Sequence, residues 1–133
     1  MIDIAIGDFL DAASAEQWNV PTWSSVVPDR TSPPYCVFDV VSTTEAHTHD
    51  GPTNLIRCRM QFTHIAATKA VAKANARALR ALLNGRRKQT MGDVWIDAIM
   101  WDNERDLFGP NTAMFQVVQD YIIYYKESES IGD

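Results

Sequence analysis

Between Asn54 and Gly85 the spacing of apolar positions changes once, and the change divides a strand from a helix. Ile56, Cys58, Met60 and Phe62 alternate with Arg57, Arg59, Gln61 and Thr63, the period of two that marks a strand with one covered face. After Thr68 the period lengthens. Val71, Ala74, Ala78, Leu79 and Leu82 recur at helical spacing, with Lys69, Lys73, Arg77 and Arg80 as a basic stripe on the opposite side. Thr68 suits an N-cap and Gly85 a C′ residue, which bounds the helix at roughly 68–84. A strand that runs directly into an amphipathic helix lays that helix across a sheet.

The other segments complete the sheet. Residues 2–15 have a helical face of Ile2, Ile6, Phe9, Leu10 and Ala13, with Asp3 as a cap, although Gly7 costs about 1 kcal/mol in a helix interior. Residues 16–34 contain four prolines and no period, an irregular connection pinned by Trp18, Trp23 and the Val26–Val27 pair. The run YCVFDVVST, 35–43, is almost continuously apolar, as in a strand covered on both faces. The loop TEAHTHDGP ends in Asp50-Gly51-Pro52 and joins it to 54–66 as an antiparallel hairpin. After the helix, GRRKQTMGD reads as a polar turn, 94–100 as a strand, and WDNERDLFGPN as a second hairpin loop. The last strand spans roughly 112–126.

These elements predict an α+β fold in the order α-β-β-α-β-β, an antiparallel sheet of about four strands with helices on one face. They form one domain over 1–126, with 127–133 as a mobile acidic tail. Strands 54–66 and 112–126 would each span about 40–50 Å at roughly 3.3 Å per residue, where about 5–6 residues is usual. Hairpins longer than their own core requires reach towards something else, and oligomerisation is the expected use.

Charge adds to that expectation. The net charge of −5 is segregated: residues 1–34 hold five acids and one base, 35–92 three acids and nine bases, and 93–133 nine acids and two bases. A basic block between acidic ones suits a nucleic-acid face or a subunit that meets its own copies, positive against negative. The overall acidity argues against duplex binding as the main task. No run approaches the roughly 18 apolar residues of a spanning helix, and the N-terminus is acidic where a signal peptide is basic. A soluble protein made in a cytoplasm is expected, with Cys36 and Cys58 as free core thiols.

Little catalytic chemistry is legible. The chain has no G-x-S-x-G, Walker A or G-x-G-x-x-G motif and no Cys/His nucleophile spacing. His47, His49 and Asp50 project from one loop, but without a second ligand cluster a solvated loop outweighs a metal site. His64 reads as a core or edge residue. Asp93, Asp97, Asp102, Glu104 and Asp106 cluster along the sequence as an exposed acidic rim rather than a convergent acid/base pair. The basic stripe, continued by Arg86, Arg87 and Lys88, reads first as a solvated helix face, next as contact with an acidic neighbouring subunit, and last as phosphate binding. It lacks the interleaved aromatics of single-strand binders. Leu107 and Phe108 stand apolar among charges at what reads as a loop tip, a position suited to docking a partner.

In this order the elements resemble a known family. PPYCVFDVVS, DGPTNLIRCRMQFTHIAAT after a Gly-containing loop, KAVAKANARALRALLNG and MFQVVQDYIIYYK are similar to the tail-completion proteins, or tail terminators, of long-tailed bacteriophages and phage-like gene transfer agents. The resemblance covers about 35–126. It implies a small subunit without catalytic residues or cofactor that closes into a ring, commonly a hexamer. Such a ring caps the head-proximal end of the tail tube and joins it to the head connector while DNA passes through the lumen. It also implies assembly in the bacterial cytoplasm and residence at the head–tail interface of the virion. A head-completion or connector-adaptor ring is the alternative within this class, and a small nucleic-acid-binding module the alternative outside it. The expected contact surface comprises Arg57, Arg59, Lys69, Lys73, Arg77 and Arg80 against Asp97, Asp102, Glu104 and Asp106, with Leu107 and Phe108 beside them.

Overall fold

The computed structural model describes residues 1–28, 31–48, 51–109 and 114–127. Its elements are α1 (Ile2–Ala12), β1 (Thr22–Ser24), β2 (Tyr35–Thr48), β3 (Gly51–Ala66), α2 (Lys69–Leu83), β4 (Arg87–Met91), β5 (Val94–Gly109) and β6 (Met114–Glu127). They form a six-stranded sheet in the order β1-β2-β3-β6-β5-β4, antiparallel except for the parallel β1–β2 pair.

Six strands rather than about four is the principal correction to the expected fold. β1 emerges from the Pro-rich connection, and at three residues it is too short for any period to show. β4, Arg87–Met91, occupies the segment expected to be a polar turn. It is an edge strand whose polar side chains are mostly solvated, so the sequence carries no apolar alternation. The segment 101–109 is likewise not a hairpin loop. Asn103, Glu104, Arg105, Asp106, Leu107 and Phe108 pair with Asp120 to Phe115 of β6, and a partner strand holds polar residues in a ladder that their own propensity would not make. β2 also runs on to Thr48 and β3 starts at Gly51, so both hairpins are longer than expected.

Register assigns the two faces. On the inner face lie Cys36 and Phe38 of β2, Cys58, Met60, Phe62 and His64 of β3, Gln119, Tyr121, Ile123 and Tyr125 of β6, and Ile96, Ile99 and Trp101 of β5. Both helices pack here. Ile2, Ala5, Ile6 and Leu10 of α1 and Leu79, Leu82 and Leu83 of α2 share one core with these strands. Phe38 stacks on Phe62 at 5.3 Å between ring centroids, and Tyr121 meets Phe62 edge-on at 5.4 Å. α1 packs against both β1 and β4, at opposite ends of the strand order, so the sheet curls about it. β2 is covered on one face only: Asp39 and Val41 are exposed, against the expectation that both faces are covered.

Helix α2 is bounded as expected. The Val71 N–H donates to Thr68 Oγ1 at 3.3 Å, and Gly85 takes φ +90°, open to glycine and strained for other residues. Its buried residues are Ala72, Ala76, Leu79, Leu82 and Leu83; of the stripe read from the sequence Leu79 and Leu82 are buried, while Val71 and Ala74 are exposed and Ala78 is half-buried. In an alanine-rich helix, small residues at neighbouring angles are equally apolar and periodicity cannot choose among them. α1 ends at Ala12 rather than 15, and Met1, not Asp3, is its N-cap residue, without a side-chain cap. His49, Asp50, the side chain of His47, residues 110–113 and the expected mobile tail beyond Glu127 lie outside the described residues.

Candidate subunit and partner interface

The segregated charges meet inside the subunit. Helix α2 begins where β3 ends, which sets its first two turns over the inner face of β5. Lys73 Nζ lies 2.8 Å from Asp106 and 3.3 Å from Glu104, and Lys69 Nζ lies 3.7 Å from Asp106. The hydrogen bond with Asp106 raises the Lys73 pKa, and the same bond holds the Asp106 carboxyl below the ordinary aspartate range. Both groups face solvent, so the pairs fix geometry more than they stabilise. Arg80 stacks its guanidinium over Trp101 at 3.8 Å, while Arg77 is exposed.

On the outer face a second network crosses β3, β6 and β5. Arg59 donates to Asp102 at 2.8 Å and lies 3.6 Å from Asp120, which Arg105 also approaches at 3.4 Å. Gln61 donates to the other Asp120 oxygen at 3.3 Å. Arg57 sits half-buried between Thr44 and Tyr124, its carbonyl accepting from Thr44 Oγ1. Asp97 pairs with Lys88 of β4 at 3.5 Å. The residues expected to form one surface are thus divided between the two faces, and most of their charge is compensated within one chain.

Leu107 and Phe108 stand near the end of the β5 ladder rather than on a loop. They are 48% and 51% exposed, and Phe108 packs on Phe115 at 4.8 Å. With Val117, Lys69 and Asp106 they line a shallow apolar hollow of about 190 Å³.

One cluster was not foreseen. His64, Gln119 and Tyr121 are buried on the inner face with no exposed surface. The Gln119 amide donates to the Ala76 carbonyl at 3.0 Å and to Glu104 Oε1 at 2.9 Å, so its oxygen must accept from Tyr121 Oη at 3.2 Å and from His64 Nε2 at 2.8 Å. His64 is therefore the Nε2–H tautomer, and its Nδ1 has no protein partner. Burial pushes its pKa down to about 4, outweighing the opposing pull of Gln119 and Glu104. A signal for this cluster existed in the sequence: Gln119-Asp120 stands between Val117-Val118 and Tyr121-Ile122 in the middle of an apolar run.

The imidazole is shut inside the core, and burial raises both thiols, Cys58 to about 12, so neither is a ready nucleophile. Among the described residues no three His, Cys, Asp or Glu side chains converge as a metal site, and no helix is long and apolar enough to cross a membrane.

The family described as "Tail completion protein gp17" matches residues 11–126. Among solved structures, a chain described as "Virion of native gene transfer agent (GTA) particle" superposes with a TM-score of 0.75 and 16% sequence identity, over 92% of this chain and 92% of that one. At that identity the likeness establishes the fold. No curated protein matches the chain closely enough to count as a relative. With the family pattern running from the end of α1 to the end of β6, the chain belongs to the tail completion protein gp17 family, the phage tail completion proteins.

Proposed function

We propose that the protein is a structural virion component, a tail terminator whose copies close into a homohexameric ring. The ring caps the head-proximal end of the tail tube and joins it to the head connector, with DNA passing through the lumen without sequence-specific binding. It acts by assembly and not by catalysis, at the head–tail interface, after synthesis in the bacterial cytoplasm. The observation that carries this reading, beside family membership, is the length of the hairpins. Strands of 14–16 residues extend past the helix-covered core and keep apolar side chains in solvent. The nucleic-acid module is disfavoured because Lys69, Lys73 and Arg59 spend their charge on Glu104, Asp106, Asp102 and Asp120. Those pairs hold the subunit's shape, and Arg77, Leu107 and Phe108 remain as the outward part of the expected contact surface.

Mass measurement and negative-stain imaging, with and without isolated tail tubes, test the reading. Closed rings, free or at one end of the tubes, are expected. A monomer that ignores tubes but shifts duplex DNA at low salt would reject it. Rings that bind connectors and never tubes would favour the adaptor alternative. A Leu107→Ser, Phe108→Ser double variant should remain folded, because both side chains are about half exposed, yet lose capping of tubes. Unchanged capping in a tube-binding assay would remove this pair from the contact.

A further inference from the structure

The two margins of the sheet are stepped. At the level of Phe38 the strands run β1-β2-β3-β6-β5, through Ser24, Phe38, Phe62, Gln119 and Glu104 as successive partners. At the level of Thr44 they run β2-β3-β6-β5-β4, through Thr44, Arg57, Tyr124, Ala98 and Arg87. The sheet keeps the same width at both levels, but with different strands at its ends. β1 protrudes from one margin at the first level, and β4 protrudes from the opposite margin at the second.

Each protrusion leaves a notch beside it. From Asp39 to Thr48, β2 has no strand on its β1 side among the described residues. From Asp102 to Gly109, β5 has none on its β4 side; the last group satisfied there is the Trp101 N–H, which donates to Asn84 Oδ1 at 2.8 Å. Open edges of this length present rows of unpaired peptide groups and are normally kept short or covered. These edges also carry exposed apolar side chains, Val40 (37%) and Val41 (52%) on one, Leu107 and Phe108 on the other.

We propose that the two margins are the two sides of one joint between copies of this chain, β4 of one copy seating in the β2 notch of the next while β1 of that next copy seats in the β5 notch of the first. The inference rests on the ring reading above and names its subunit contact. Because the protrusions and notches lie at matching levels, the joint needs no sliding along the strands. Strand direction permits it. β5 runs antiparallel to β2, so β1 meets β5 antiparallel and β4 meets β2 parallel, both ordinary ladders. The contact uses a different surface on each copy, the heterologous arrangement that generates rings when the rotation closes.

A cysteine pair tests the joint. Thr44 and Arg87 are both exposed, both on the outer face, and at one level of the sheet, so across the joint they become near neighbours on adjacent strands. Adjacent strands stand about 5 Å apart, within the Cα separation of a disulfide. The native thiols are buried and stay silent. On oxidation of protein assembled on tail tubes, the Thr44→Cys, Arg87→Cys double variant should give a ladder of covalent multimers ending at the ring mass. Each single variant should give none. Rings on the tubes without a ladder would overturn the joint and leave the ring reading standing, as would dimers from either single variant, which require a two-fold contact. Absence of rings from the unaltered protein would remove both.

Discussion

Replacing Gln119 by leucine will cost about 4 kcal/mol of folding stability, enough to consume much of the roughly 5–15 kcal/mol that holds a domain together. The side chain fits, but its oxygen is the acceptor for two donors that have no alternative, His64 Nε2 and Tyr121 Oη. Each stranded buried donor costs about 1–3 kcal/mol. The Ala76 carbonyl and Glu104 lose less, because Ala76 keeps its helix bond and Glu104 keeps Lys73 at 3.3 Å. His64→Leu is the informative contrast. It removes one donor and leaves the Gln119 oxygen occupied by Tyr121, so its cost should be well below that of Gln119→Leu. Urea unfolding of the two variants decides the point. Equal costs would mean that packing around the ring, not the polar cluster, sets stability here.

Acid should unfold the protein in a window set by His64. Its pKa is about 4 in the folded chain against 6.5 in the unfolded one, so between these values the unfolded state binds the extra proton. Stability is then fully present above pH 6.5 and is lost as the pH falls towards 4, by about 1.4 kcal/mol per pH unit and about 3 kcal/mol in all. Asp106, whose pKa is lowered, contributes a loss only below the ordinary aspartate range, and Lys73, whose pKa is raised, only above the ordinary lysine range. Neither overlaps the histidine window. Unfolding midpoints measured at pH 7 and pH 4.5 should therefore differ in the native protein and converge in His64→Leu. A flat profile in the native protein would show that the imidazole charges without leaving the core.

What could be read in advance follows from how local each signal is. The β3–α2 passage was legible because a period of two gives way to a helical period, with Thr68 and Gly85 marking the helix ends. β1 and β4 were not, since each is defined by its partner: β1 by three residues of β2, β4 by the start of β5. The polar run of β5 reads as a loop for the same reason. Its residues are strand only because β6 lies beside them, and Lys69 and Lys73 compensate its carboxylates. Charge segregation was visible at once, yet sequence alone could not say whether opposite charges meet within a chain or between chains. The fold brings Lys73 to Glu104 and Arg59 to Asp102, so most of that segregation is spent inside. Gln119 was readable as an oddity in an apolar strand, but its four partners come from three other elements and from β6 itself.

The placement of the two cysteines has a practical consequence. Cys36 lies opposite His64 and Cys58 opposite Thr43, so they sit on neighbouring strands about six residues apart in register, far beyond bonding reach. Both are fully buried, Cys36 near the open end of the hairpin and Cys58 near its middle. They are therefore a pair of built-in clocks. The rate at which a thiol-directed label reaches each one reports how often its part of the β2–β3 hairpin opens, without any introduced probe. Comparing free subunits with assembled ones would show which part docking makes rigid.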